Sequence, residues 1–113
     1  MPTPEWTVEF PAAITVCDAG GTIVSLNEAA ARVFAREGGA SLVGRNALDC
    51  HPEPARSKLA DLLRTGRINA YTIEKQGRRK LIYQAPWLEG GALRGFVELS
   101  LELPEDLPHF VRR

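Results

Sequence analysis

The sequence predicts an α+β fold in which a five-stranded antiparallel sheet carries helices packed on one face. Three observations carry that prediction. A strand-turn-strand-helix unit occupies residues 14–34, a leucine stripe with a terminal glycine marks a second helix after Pro54, and the last third alternates in hydropathy with a period of two. At 113 residues the chain has the usual size of one domain, so residues 1–113 are assigned to a single unit. Its folded part is expected over 8–103, with both ends frayed, because MPTPE and PEDLPHFVRR are rich in proline.

In the first unit, residues 13–16 are apolar or β-branched, Asp18-Ala19-Gly20-Gly21 supplies turn chemistry, and 22–26 is β-rich again. Asn27 then stands as an N-cap before a run of helix formers from Glu28 to Arg36, with Gly38 as the C-terminal stop. Residues 39–54 mix Gly, Ser, Asn, Asp and proline with isolated apolar side chains, which predicts loop and short helical turns. Connections this long inside small domains tend to serve a function, so the segment is the first place to look for a ligand. The second helix follows, with Leu59, Leu62 and Leu63 on one face and Gly66 at its end. Gln76-Gly77 and Glu89-Gly90-Gly91 divide the remainder into three strands. The expected core face carries Tyr71, Ile73, Leu81, Tyr83, Val97 and Leu99, and the expected outer face carries Ile82 and Phe96.

Charge and composition exclude several functions. Lys plus Arg and Asp plus Glu both number 14, so no net field draws in nucleic acid or an anionic membrane. The basic run Arg78-Arg79-Lys80, with Lys75 across the turn, reads as a solvated hairpin tip. No stretch approaches the roughly 20 apolar residues that span a bilayer, and the N-terminus lacks a signal-peptide pattern, so a cytoplasmic location is expected. Cys17 and Cys50 lie far apart and in no C-x-x-C arrangement, which gives no zinc, redox or c-type haem motif.

This order of elements resembles the PAS domain family over residues 8–103. The stretch ITVCDAGGTIVSLNEAAARVF carries most of the likeness: Asp18 ends the first strand, Gly20-Gly21 turns the chain and Asn27 opens the helix. Val43-Gly44-Arg45-Asn46 resembles a segment with a Gly-Arg pair, and LDCHPEPARSKL resembles members with Cys-His-Pro before the long helix. The resemblance implies a PAS-like sheet that encloses, with the helices, either a pocket for a cofactor or metabolite or a filled core. It also implies a homodimer or a partner signalling protein. The prolines near the C-terminus depart from members that run into a signalling helix.

Asp49-Cys50-His51-Pro52 is the one constellation with reactive chemistry. Adjacent residues diverge in direction, so a Cys50-His51 catalytic dyad is disfavoured and no enzymatic activity is expected. Haem ligation by His51 is a further reading drawn from the resemblance; the plain alternative has Cys50 as a small packing residue and His51 in a local hydrogen bond. The expected function is a non-enzymatic sensor that binds a small-molecule ligand, of unknown identity, in a pocket bounded by Val33, Phe34, Leu48, Cys50, His51, Leu59, Leu63, Tyr71, Tyr83 and Leu99. Its alternative is a protein-protein interaction module with a filled core, in contact through Phe96 and Ile82 or through Trp6 and Phe10.

Overall fold

The computed structural model describes residues 4–113. A short helix, α1 (Glu5–Val8), precedes strands β1 (Ala13–Asp18) and β2 (Ile23–Leu26) and helix α2 (Glu28–Val33). Three 3-10 turns then cover Ala35–Glu37, Gly39–Leu42 and Ala47–Cys50, before helix α3 (Ala55–Thr65) and strands β3 (Asn69–Lys75), β4 (Arg78–Glu89) and β5 (Ala92–Leu103). The five strands form one antiparallel sheet in the order β2-β1-β5-β4-β3. No helix among the described residues is long and apolar enough to cross a membrane.

The local chemistry explains the elements. Asp18 Oδ1 accepts hydrogen bonds from the Gly20 and Thr22 amides and so closes the first turn. Gly21 has φ 90°, and a Cβ there would stand 3.1 Å from Asn46 Oδ1, so the turn needs glycine for both reasons. Asn27 accepts from Ala30 N as the cap of α2. Gly66 ends α3 in the left-handed conformation, with its amide bonded to the Leu62 carbonyl.

Three expectations change. The first helix stops at Val33, where Phe34 leaves helical geometry and a 3-10 turn follows. The N-terminal segment is not featureless, because α1 sits at Glu5–Val8, before the expected start of the fold; residues 104–113 run without helix or strand. The third change is the facing of the sheet. Phe96 and Ile82, expected outside, are 3% and 5% exposed, and Phe96 packs with Cys17, Ile23, Leu42, Leu59 and Leu62 in the main core. Partners directly opposite share a face, so Phe96 aligns with Cys17 and Pro86, while Leu99 aligns with Tyr83 and Ile14 on the other side. Alternation separates two sets of side chains but does not say which set the helices cover. Here the helices cover the set that contains Gln84 and Glu98, which reads as the solvent face, while Glu102 farther along β5 stays exposed.

Candidate functional site

Between the covered face of the sheet and the segment from α2 to α3 lies a cavity of about 340 Å³. That is within the range of small-molecule sites. Its apolar walls come from Ile23 and Phe96 on the sheet, Phe34 after α2, Leu42 in the second 3-10 turn, and Leu59 and Leu62 on α3. The leucine stripe of α3 therefore serves two ends: Leu62 and Leu63 pack the core, while Leu59 and Leu62 also bound the cavity.

The polar lining is organised by strand register. Thr15, Glu98, Gln84 and Asn69 are consecutive cross-strand partners on β1, β5, β4 and β3, and all four line the cavity. Asn69 Nδ2 donates to Gln84 Oε1 at 2.8 Å. That leaves the Gln84 amide nitrogen as the donor for its hydrogen bond to the Glu98 carboxyl. Burial raises the Glu98 carboxyl above the usual carboxylate range, against the opposing influence of His51 and this Gln84 bond. The same enclosure pushes the Cys17 thiol up to about 12, helped by the negative fields of Glu98 and Asp18. Tyr71 is raised as well, by burial first and Glu98 second. At the rim, Lys58 Nζ stands 5.7 Å from the centre of the Tyr71 ring.

Of the residues expected at the pocket, Phe34, Cys50, His51, Leu59 and Tyr71 line the cavity. Leu63 belongs to the adjoining core and Leu48 packs against that core. Val33, Tyr83 and Leu99, expected there as well, do not line it. Val33 is 46% exposed at the last position of α2, and Tyr83 and Leu99 pair with each other on the opposite face of the sheet. The reason for Tyr83 is register: Tyr71 pairs with Ile82, so Tyr71 and Tyr83 point to opposite faces.

Cys50 is exposed rather than packed in the core, although it borders the cavity. His51 Nδ1 lies 2.6 Å from the Ala47 carbonyl oxygen and donates to it, which leaves Nε2 as the ring nitrogen outside that bond. That local bond holds the imidazole to its own 3-10 turn and supplies no orienting link to Cys50. No group of three His, Cys, Asp or Glu side chains among the described residues is arranged to hold a metal ion.

The residues missed from the sequence are mainly the polar row. Its signal was present: a two-residue turn at Gln76-Gly77 with Lys75 opposite Arg78 places Asn69 opposite Gln84 by counting.

An antiparallel sheet in 2-1-5-4-3 order with helices over one face is the architecture of a recognisable class of small α+β domain. The sequence profile described as PAS fold matches residues 9–105, and the chain belongs to the PAS family. Solved structures agree on the fold. A C-terminal domain from Streptococcus mutans is 22% identical, with 90% of each chain covered and a TM-score of 0.70. The PAS domain of the histidine kinase ThkA is 21% identical, covering 79% of this chain and 96% of its own, with a TM-score of 0.62. The Aer2 receptor from Vibrio cholerae, described as a dual PAS-heme oxygen sensor, is 20% identical over 82% of this chain and 95% of its own, with a TM-score of 0.59. No curated protein matches.

Proposed function

We propose that this PAS domain is a non-enzymatic sensor of a small molecule, bound in the cavity beneath Phe96 and Glu98 and relayed through contacts with a second copy or a signalling partner. The observation that carries the reading is the cavity itself. It combines apolar walls with a few convergent polar groups, which is the composition of a ligand site, and its volume argues against a filled core. A bound molecule would bias the packing of the central strand β5, which carries both Phe96 on the cavity side and Leu99 on the far side. That far face holds Leu81, Tyr83, Val97, Leu99 and Leu101; Tyr83 is 36% exposed, which suits contact with another chain.

The purified protein would be scanned from the near-ultraviolet to the visible and then weighed by native mass spectrometry, with Phe96→Trp as a cavity-filling control. A mass increment that Phe96→Trp abolishes, or a metabolite that shifts the amide resonances of β5, is expected. A Soret band lost in His51→Ala would identify the ligand as haem. If no extract or metabolite set shifts those resonances, while Tyr83→Asp breaks a dimer seen by light scattering, the interaction-module reading replaces this one.

A further inference from the structure

The cavity carries a charge asymmetry that specifies its ligand more closely. Glu98 is partly buried, and its carboxyl lies in the middle of the polar row. Among the described residues its one side-chain hydrogen-bond partner is the neutral Gln84 amide, and no ion pair includes it. The groups that face the cavity from each element are Cys17 on β1, Glu37 in the first 3-10 turn, Cys50 and His51 in and after the third, Lys58 on α3, Tyr71 on β3 and Glu98 on β5. Lys58 is the one lysine or arginine among them, and its ammonium is placed over the Tyr71 ring at the rim. Cys17 and Tyr71 are weak acids that an ionised Glu98 already disfavours from losing their protons. His51 favours the ionised carboxyl, but its ring is tied to the Ala47 carbonyl.

We propose that the cavity selects a molecule with an apolar body and one protonated nitrogen, the nitrogen pairing with the Glu98 carboxylate and the body lying against Phe34, Leu59 and Phe96. This rests on the sensor reading above. A buried carboxylate without a cation is costly, and a ligand that brings the cation removes that cost on binding. The hydrogen bond it forms is charge-assisted, so a protonated amine is favoured about tenfold over an alcohol of the same shape. An anion of that shape meets Glu98 and Glu37 and is rejected. The Gln84 amide, held by Asn69, fixes the carboxyl plane so that its remaining lone pairs serve the ligand.

The test uses three probes of nearly one shape: phenethylamine, 2-phenylethanol and phenylacetate. Each is titrated into the whole chain at about pH 8, where an alkylamine is protonated. Binding is followed through the side-chain amide resonances of Asn69 and Gln84 and the backbone amide of Phe96. The amine is expected to bind at least about tenfold tighter than the alcohol, with phenylacetate weakest. In Glu98→Gln the preference for the amine over the alcohol is expected to vanish. Equal binding of amine and alcohol, tighter binding of phenylacetate, or a preference retained in Glu98→Gln overturns the inference and leaves the cavity reading intact. If none of the three moves these resonances, the inference falls, and the cavity reading is decided separately by the extract and metabolite screen above. The wild-type comparison decides the matter by itself should Glu98→Gln fail to fold.

Discussion

Replacing Asn27 with alanine tests how the two ends of the first structural unit are tied together. Asn27 is 3% exposed, and its Oδ1 accepts from the Ile14 amide at 2.9 Å and the Ala30 amide at 3.0 Å. Its Nδ2 donates to the Thr7 carbonyl at 2.9 Å, the Ala12 carbonyl at 2.8 Å and, more distantly, the Phe10 carbonyl at 3.4 Å. One side chain thus joins the segment leading from α1, the start of β1 and the first turn of α2. Alanine orphans two buried N–H groups at about 1 to 3 kcal/mol each and weakens the carbonyl side, so about 3 to 5 kcal/mol should be lost. A cap alone would account for about 1 kcal/mol. Urea unfolding followed by circular dichroism measures this, with the slope unchanged and the midpoint lowered. Asn27→Ser should recover only the cap share, because a hydroxyl reaches Ala30 N but not the carbonyls of 7 and 12. Asn27→Asp keeps the acceptor but turns a carboxylate toward those carbonyls, so it should be poor at neutral pH and improve when the carboxyl is protonated. A loss below about 1.5 kcal/mol in Asn27→Ala, or full recovery in Asn27→Ser, would refute the long-range tie and leave Asn27 a simple cap.

Further outcomes follow from the buried titratable groups and from close packing. Because the Glu98 carboxyl is raised in the folded state, the fold binds its proton more tightly than the unfolded chain does. That stabilisation is present at low pH and is lost as pH rises through the shifted value; Glu98→Gln should flatten this part of the urea-midpoint profile, and an unchanged slope would contradict it. With Cys17 pushed up to about 12, its thiolate is only about one part in ten thousand at pH 8, so iodoacetamide should label exposed Cys50 in the native protein and Cys17 only after unfolding. Peptide mass mapping reads this directly, and equal rates would show that the cavity side of Cys17 is open. Gly95→Ala would drive a Cβ into the Cys17 carbonyl oxygen and to 2.9 Å from Trp87 Cε3 where β1, β5 and β4 meet. A loss of more than about 3 kcal/mol is expected in thermal or urea unfolding; a near-neutral effect would mean the strands part easily there.

Local chemistry was the legible part of this chain. Asp18, Gly21, Asn27 and Gly66 act through bonds and backbone angles within a few residues of themselves, so their roles could be read in order along the sequence. Asn27 shows the limit: its bond to Ala30 is three residues away and was expected, whereas those to Thr7 and Ala12 depend on the chain returning from a distance. The facing of β4 and β5 failed for a related reason. Leu99 and Tyr83 are more hydrophobic than Glu98 and Gln84, and burial by hydrophobicity alone favours the wrong set. The helices instead cover the polar set because Phe96, Cys17 and Ile23 anchor that face, and the cavity left beside them gives Glu98 and Gln84 room. Around a cavity polarity and burial part company, so hydrophobic alternation misleads there.

The sheet order has a consequence in time. β5 is last in the chain yet lies at the centre of the sheet, joining β1 to β4. Until it inserts, β1-β2 and β3-β4 are separate hairpins, each marginal by itself in water. Pairs such as Ile14 with Leu99 close most of the chain into one loop, so folding should be slow for the domain's size and limited by docking of this strand. Phe96 and Glu98 arrive with it, and before that step the cavity has no floor. Anything bound there would meet only the finished domain, holding the central strand in place rather than guiding the chain toward it.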